Sequence, residues 1–304
     1  MSFNPSSISR VCVRATNWLG DAVMSLPAIR AIRRILPHAH IALVARPWVA
    51  DLYARERSID RIIPYTAQKG LRAKREFASL LRHEHFDAAI LLQNAFDAAL
   101  LMWLAGIPER IGYNRDGRRL LLTQAIPVPE PGEIPRHERF YYLELLRRAG
   151  MIEGFADIGP IRLEGLDDAR AAGAAHLARL GISGAAVGVS PGAAYGNAKR
   201  WLPESFAAVA QNLAPGAVLL FGSAGERPLS ETVAVFGATD DTTTGPTGPL
   251  ARVVREHAEC SPCLLRECPI DHRCMTAVTV ERVTAVAQDL WKETASAWIP
   301  ELKS

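Results

Sequence analysis

The 304-residue chain has no apolar run long enough to cross a bilayer. The longest, residues 98–107, is about half of the ~20 residues a spanning helix needs, so the protein is expected not to be transmembrane. Residues 1–10 are polar and lack the apolar core of a secretory signal, which makes the cytoplasm the expected location. Charged residues make up only 22% of the chain against 49% hydrophobic, which excludes a disordered polyelectrolyte and supplies a large core. Five cysteines give no disulfide scaffold; in a reducing compartment they read as free thiols or metal ligands. No Gly-x-Gly-x-x-Gly follows the first predicted strand, which argues against a dinucleotide-dependent dehydrogenase, and no Gly-Lys-Ser/Thr closes a phosphate loop. Internal repeats, low-complexity tracts and nucleic-acid reading motifs are absent, so no nucleic-acid partner is expected. Lysine is scarce: of 35 basic residues only Lys69, Lys74, Lys199, Lys292 and Lys303 are lysines.

What is present is an α/β pattern written twice. In the first half, strands are predicted at 11–16, 41–45 and 88–92, and helices at 21–36, 71–84, 95–105 and 137–149, the last ended by Gly150. Cys12 falls in the first strand and reads as core. Strand–helix alternation of this kind builds a mainly parallel, doubly wound sheet with its ligand crevice at the carboxyl ends of the strands. After a linker near 150–160 the pattern restarts, with a helix at 166–180, a strand at 186–190, a helix at 203–213 that opens on Pro203, and a strand at 218–222. Only ten residues then precede the next strand-like run at 233–236, the lower limit for a parallel crossover. A tail helix is predicted over 279–298.

The formal charge of +3 conceals an asymmetry. Residues 1–150 carry 22 Lys and Arg against 14 Asp and Glu, and the remainder 13 against 18. Basic residues gather at Arg72, Lys74 and Arg75, at Arg115, Arg118 and Arg119, and at Arg136 and Arg139, in segments that read as loops or helix ends. Such a field attracts an anionic partner; scattered arginine on solvated helix faces gives the same total.

Three motifs carry chemistry. In the first, Gly20-Asp21 at the start of a helix puts a carboxylate at the mouth of the crevice, where Asp21 serves either as a general base toward a hydroxyl nucleophile or as an ordinary N-cap. The second, residues 190–201 (SPGAAYGNAKRW), follows a strand. Its glycines let backbone N–H groups approach an oxyanion, and Lys199 is either a charge for a diphosphate or a surface lysine in a turn. A further loop, residues 222–226 (GSAGE), lies at the same edge and is a candidate nucleotide contact. The third is Cys260-x2-Cys263-x4-Cys268-x5-Cys274, with His272 between the last two. Four thiols in fifteen residues make either a tetrahedral zinc site or a set of reduced structural thiols, and the spacing is not that of a paired zinc ribbon.

Residues 16–27 (TNWLGDAVMSLP), 91–113 (LLQNAFDAALLMWLAGIPERIGY), 191–201 (PGAAYGNAKRW), 219–223 (LLFGS), 235–240 (VFGATD) and 260–275 resemble, in order, the ADP-heptose lipopolysaccharide heptosyltransferases of glycosyltransferase family 9, in their heptosyltransferase II branch. The resemblance implies a GT-B fold of two Rossmann-like domains facing a cleft, an acceptor-binding domain over 1–155 and an ADP-heptose-binding domain over 156–304. It also implies metal-independent, inverting transfer of L-glycero-D-manno-heptose to the first heptose of a Kdo-lipid A inner core, with no cofactor. Asp21 falls on the family's catalytic aspartate. Gly192, Ala194, Tyr195, Lys199, Gly222, Ser223, Glu226, Gly237 and Thr239 fall at donor-binding positions, and Asn17, Asn94, Arg115, Arg118 and Arg136 are the acceptor-binding expectations. An acceptor rich in phosphates and carboxylates answers the basic first half and implies a peripheral position at the inner membrane face.

One departure stands out. The family pattern places an Asp-Ser-Gly-x-x-His motif between the Phe-Gly-Ser loop and the Phe-Gly-x-Thr run. Here only eleven residues separate Ser223 from Val235 and the motif does not occur, so the second domain is expected to be abbreviated near 223–235. That departure sets a second reading beside the first: a family member that binds acceptor without transferring sugar. A metal-binding module built on the cysteines is the third.

Overall fold

A computed structural model of the chain describes residues 4–66, 70–156, 158–183, 186–190, 200–213, 217–221 and 252–295. The chain divides into two compact units, Met1–Leu166 and Asp167–Ser304.

The first unit is a six-stranded sheet in the order β3-β2-β1-β4-β5-β6, every pairing parallel. Its strands are β1 (Arg10–Arg14), β2 (His40–Ala45), β3 (Arg61–Pro64), β4 (Ala88–Leu91), β5 (Glu109–Tyr113) and β6 (Gln124–Ile126). β1, β2 and β4 lie in the middle, are buried almost throughout, and are apolar runs that the sequence makes plain. β3, β5 and β6 were not anticipated, because RIIP, ERIGY and QAI are short and interrupted by polar residues. They sit toward the two edges, where half-exposed strands carry such residues.

Helices cover both faces. α1 (Leu19–Ile35) packs against α5 (Arg139–Arg148), and α3 (Leu71–His83) against α4 (Phe96–Leu104), while a single turn, α2 (Pro47–Ala50), follows β2. Two apolar layers result. Val11, Val13, Ile29, Ile32, Leu143 and Leu146 form part of one. Cys12, Leu81, Ala89, Leu91, Leu101 and Met102 belong to the other. Burial holds the Cys12 thiol protonated, its pKa pushed up to about 12, as suits a core residue. α5 ends in a Schellman turn: the Gly150 N–H donates to Arg147 O (3.0 Å) and the Met151 N–H to Leu146 O (2.9 Å), with Gly150 at φ +74°. The stretch after it stays on this unit, because Arg30 Nη2 donates to Arg162 O (2.7 Å) and the Arg57 N–H to Glu164 Oε2 (2.7 Å).

The second unit contains α6 (Leu166–Arg179), a parallel pair β7 (Ala186–Val189) and β8 (Ala217–Leu220), α7 (Pro203–Leu213), a short α8 (Arg273–Thr276) and α9 (Val280–Ala295). α7 and α9 pack together over a small core of Trp201, Phe206, Val209, Met275 and Val278. The Trp201 ring meets Phe206 edge-on and its indole N–H donates to Val278 O (3.1 Å). Among the described residues no helix is long and apolar enough to cross a membrane. The predicted strand at 233–236 and the shortened stretch around 223–235 lie outside the described residues.

Candidate active site

The strand order reverses between β1 and β4, and in a sheet of this kind ligands bind outside the carboxyl ends of the strands at that switch point. The chain leaves β1 through Ala15, Thr16 and Asn17, and leaves β4 through Leu92, Gln93 and Asn94. Asn17 and Asn94 therefore stand on either side of the switch.

Asp21 is not the N-cap of α1. That position belongs to Trp18, whose side chain makes no capping bond, and Asp21 lies inside the first turn, at the third helical residue. The carboxyl is half-buried, and burial raises its pKa above the ordinary 3.8. A carboxylate held at a helix start favours the ionised form through the dipole, so desolvation is the stronger influence here. Beside it, Gly20 has open space where a Cβ would project. Sequence reasoning missed a second acid: Glu138, the residue that precedes α5. Its pKa is raised first by burial and then by the charge of Asp21, and lowered by Arg115. Tyr142, one turn into α5, is also raised by burial and then by Asp21. The only sequence signal for this pair is that α1 and α5 carry apolar stripes able to pack together.

The two asparagines are fixed by buried arginines. Arg14 is 1% exposed: Nη2 donates to Asn17 Oδ1 (2.9 Å) and Nη1 to Val44 O (3.2 Å). Arg118 is fully buried, with Nε donating to Tyr113 O (2.8 Å), Nη2 to Asn94 Oδ1 (3.1 Å) and Nη1 to Gln93 O. Desolvation brings both guanidinium groups down to about 10. Asn94 completes its set by donating from Nδ2 to Tyr141 Oη (2.7 Å). Arg118 is thus corrected from a surface charge to an internal brace: its donors are turned onto the two carboxyl-edge loops.

The other basic positions separate in the same way. Arg72, Lys74 and Arg75 lie at the N-terminal end of α3, a helix end as the sequence reading allows, and Lys74 is paired with Asp97, Arg72 with Glu76 (3.0 Å). Arg115 is exposed, with Asp116 at 3.7 Å, and Arg136 is exposed. Every donor-binding expectation, Gly192, Ala194, Tyr195, Lys199, Gly222, Ser223, Glu226, Gly237 and Thr239, lies outside the described residues. Cys260, Cys263, Cys268 and Cys274 line one cavity of about 50 Å³ together with Leu265, Pro269 and Ile270. Burial and the three neighbouring thiols raise Cys274. Among the described residues no three His, Cys, Asp or Glu side chains are placed to hold a metal ion.

A sequence profile of glycosyltransferase family 9 (heptosyltransferase) matches residues 74–232, just over half of the chain. The chain belongs to this family. It is 28% identical over 223 residues to lipopolysaccharide heptosyltransferase 2 of Escherichia coli K12, an alignment that takes in 71% of this chain and 64% of that protein. The chain thus spans 64% of the length of this curated relative. Its fold is similar to that of E. coli ADP-heptose LPS heptosyltransferase II, with TM-score 0.77, 22% identity and coverage of 94% of this chain and 99% of that one. It is equally similar to a family 9 glycosyl transferase from Veillonella parvula, with TM-score 0.78, 18% identity and coverage of 96% and 99%. The fold is therefore that of the GT-B heptosyltransferases, and the α/β expectation holds.

Proposed function

We propose that this protein transfers L-glycero-D-manno-heptose from ADP-heptose to the first heptose of a lipopolysaccharide inner core, with inversion at the anomeric carbon and without metal or cofactor. The observation that carries the reading is the placement of Asp21: a half-buried carboxylate in the first turn of α1, at the switch point of a family 9 sheet, with its pKa raised toward that of a useful base. In this mechanism an acceptor hydroxyl gives its proton to the Asp21 carboxylate as its oxygen attacks the anomeric carbon. The bond from that carbon to the diphosphate breaks on the opposite face, and ADP leaves with the electron pair. Lys199, by its resemblance to the family's diphosphate lysine, meets the charge that develops on ADP.

On this reading the donor is ADP-heptose, and the acceptor is the Kdo-lipid A core presented at the cytoplasmic face of the membrane. The exposed Arg115 and Arg136 belong to the acceptor side. The test is transfer from ADP-heptose to the heptosylated Kdo-lipid A acceptor. Wild-type protein is expected to turn over and Asp21→Ala to lose activity by about 10²-fold or more while keeping its unfolding midpoint. Equal turnover by the two proteins overturns the assignment of the base.

A further inference from the structure

Just after β2 stands a cation that no acid answers among the described residues. Among the described residues the Arg46 guanidinium has no carboxylate partner and no hydrogen-bond acceptor, and its Nε is buried without one. It lies instead over two aromatic rings, 5.0 Å from the Tyr65 centroid and 5.6 Å from that of Trp48. The buried Arg14 is itself 5.4 Å from the Tyr65 centroid, and Arg46 makes that buried cation harder to hold, while Asp97, which accepts from Tyr65 Oη (3.3 Å) and pairs with Lys74, supports the Arg14 charge. Two guanidinium groups sharing one ring, one of them out of water, is an arrangement that folding alone disfavours. It becomes favourable when an anion is bound.

Three further features shape what that anion belongs to. Trp48 is 63% exposed, yet its indole N–H donates to Asn17 O (2.9 Å), so an open apolar face is held in a fixed plane. A cavity of about 270 Å³ opens between Tyr65, Lys74 and Phe77. Trp48 stands in α2 just after β2, and the cavity lies between Tyr65, just after β3, and α3, so both are beyond the carboxyl ends of the strands, as are Asn17 and Asp21 after β1.

We infer that Arg46 and Trp48 form a subsite for an anionic sugar. The guanidinium takes a phosphate or carboxylate oxygen, and the exposed indole supports the pyranose ring. The proposal rests on the reading of the protein as a transferase with a charged saccharide acceptor, and it assigns to Arg46 and Trp48 the recognition of that acceptor. Lys74, already neutralised by Asp97, is secondary to Arg46.

The test measures acceptor binding by calorimetry and, separately, acceptor and donor KM, on wild type, Arg46→Ala, Arg46→Lys and Trp48→Ala. Arg46→Ala is expected to weaken acceptor binding by about tenfold or more and to raise acceptor KM in step, with donor KM within about twofold. Arg46→Lys recovers part of the loss, since it keeps the charge and loses the planar stack. Trp48→Ala weakens binding of the acceptor, whether or not its charged group is removed. Repeating the Arg46→Ala comparison with dephosphorylated and with carboxyl-reduced acceptor identifies the anion: the penalty disappears for the one that lacks it. Acceptor affinity unchanged in Arg46→Ala overturns the subsite, as does an equal loss on the donor side. A wild type that binds acceptor through Arg46 yet transfers nothing leaves the subsite standing and defeats the transferase reading. A wild type that binds no acceptor defeats both.

Discussion

Asp21, in the first turn of α1, and Glu138, the residue before α5, are both partly desolvated carboxylates, and the charge of Asp21 pushes the Glu138 carboxyl up beyond what burial alone does. The Asp21 charge thus disfavours ionisation of Glu138. A second negative charge beside an ionised Asp21 costs more than burial alone makes it cost.

That shift has a cost in stability with a definite sign. A carboxyl whose pKa is raised by folding binds its proton more tightly folded than unfolded. Its contribution to stability therefore falls as pH rises from the unfolded value, 4.5 for Glu138, through the folded one, and stays lost above it. Glu138→Gln removes that penalty. In thermal unfolding at about pH 7 the variant is expected to melt about 2 °C above wild type, with the gain vanishing by about pH 4. A lower melting temperature at neutral pH would show that Glu138 makes a stabilising contact when ionised.

With Asp21 as the proposed base, kcat/KM for transfer is expected to fall as the pH drops through its pKa, with the midpoint of that fall above the ordinary aspartate value of 3.8. Measured pH profiles are expected to show the limb in wild type and to keep it in Glu138→Gln, because on this reading the limb belongs to Asp21.

Arg118 braces the carboxyl edge from inside, and its removal strands acceptors in a dry core. Arg118→Met leaves Tyr113 O, Gln93 O and Asn94 Oδ1 without this donor and is expected to cost about 2–4 kcal/mol in urea unfolding. Space for the guanidinium is made by Gly112, where a Cβ would come within 3.2 Å of Arg118 Nη2 and 3.3 Å of Leu91 Cβ. Gly112→Ala is accordingly expected to cost about 1–3 kcal/mol, and Arg118→Met, which removes one of the two crowding groups, to reduce that cost when the substitutions are combined.

Arg118 also shows where sequence reading reaches its limit. A cluster such as Arg115, Arg118 and Arg119 reads as uniform surface charge, because nothing in the spacing tells which guanidinium turns inward; only the closure of β5 on β4 decides it. Elements with strong local rules were legible: α7 opens at Pro203 and ends at Leu213 as its pattern says, and Gly150 ends α5 as predicted. The central strands were legible from their apolar runs, whereas β3, β5 and β6 depend on neighbours distant in sequence. Asp21 was found through its glycine and its helix start, but its position inside the first turn, and Glu138 beside it, follow from the packing of α1 on α5.

Gly20 separates a structural role from a functional one. It is the second residue of α1, has no φ in the left-handed region, and a Cβ added there meets nothing within 4 Å. Alanine is the better helix former, so Gly20→Ala is expected to stabilise the first unit by about 0.5–1 kcal/mol in urea unfolding. Glycine at this point gives up that stability, and the space it leaves open lies next to the proposed base. If that space is where the acceptor hydroxyl and the anomeric carbon meet, the added methyl lowers kcat/KM for transfer by about tenfold or more in the same protein that unfolds later. Higher stability with unchanged transfer would move the reacting atoms away from the start of α1, and with them the role of Asp21.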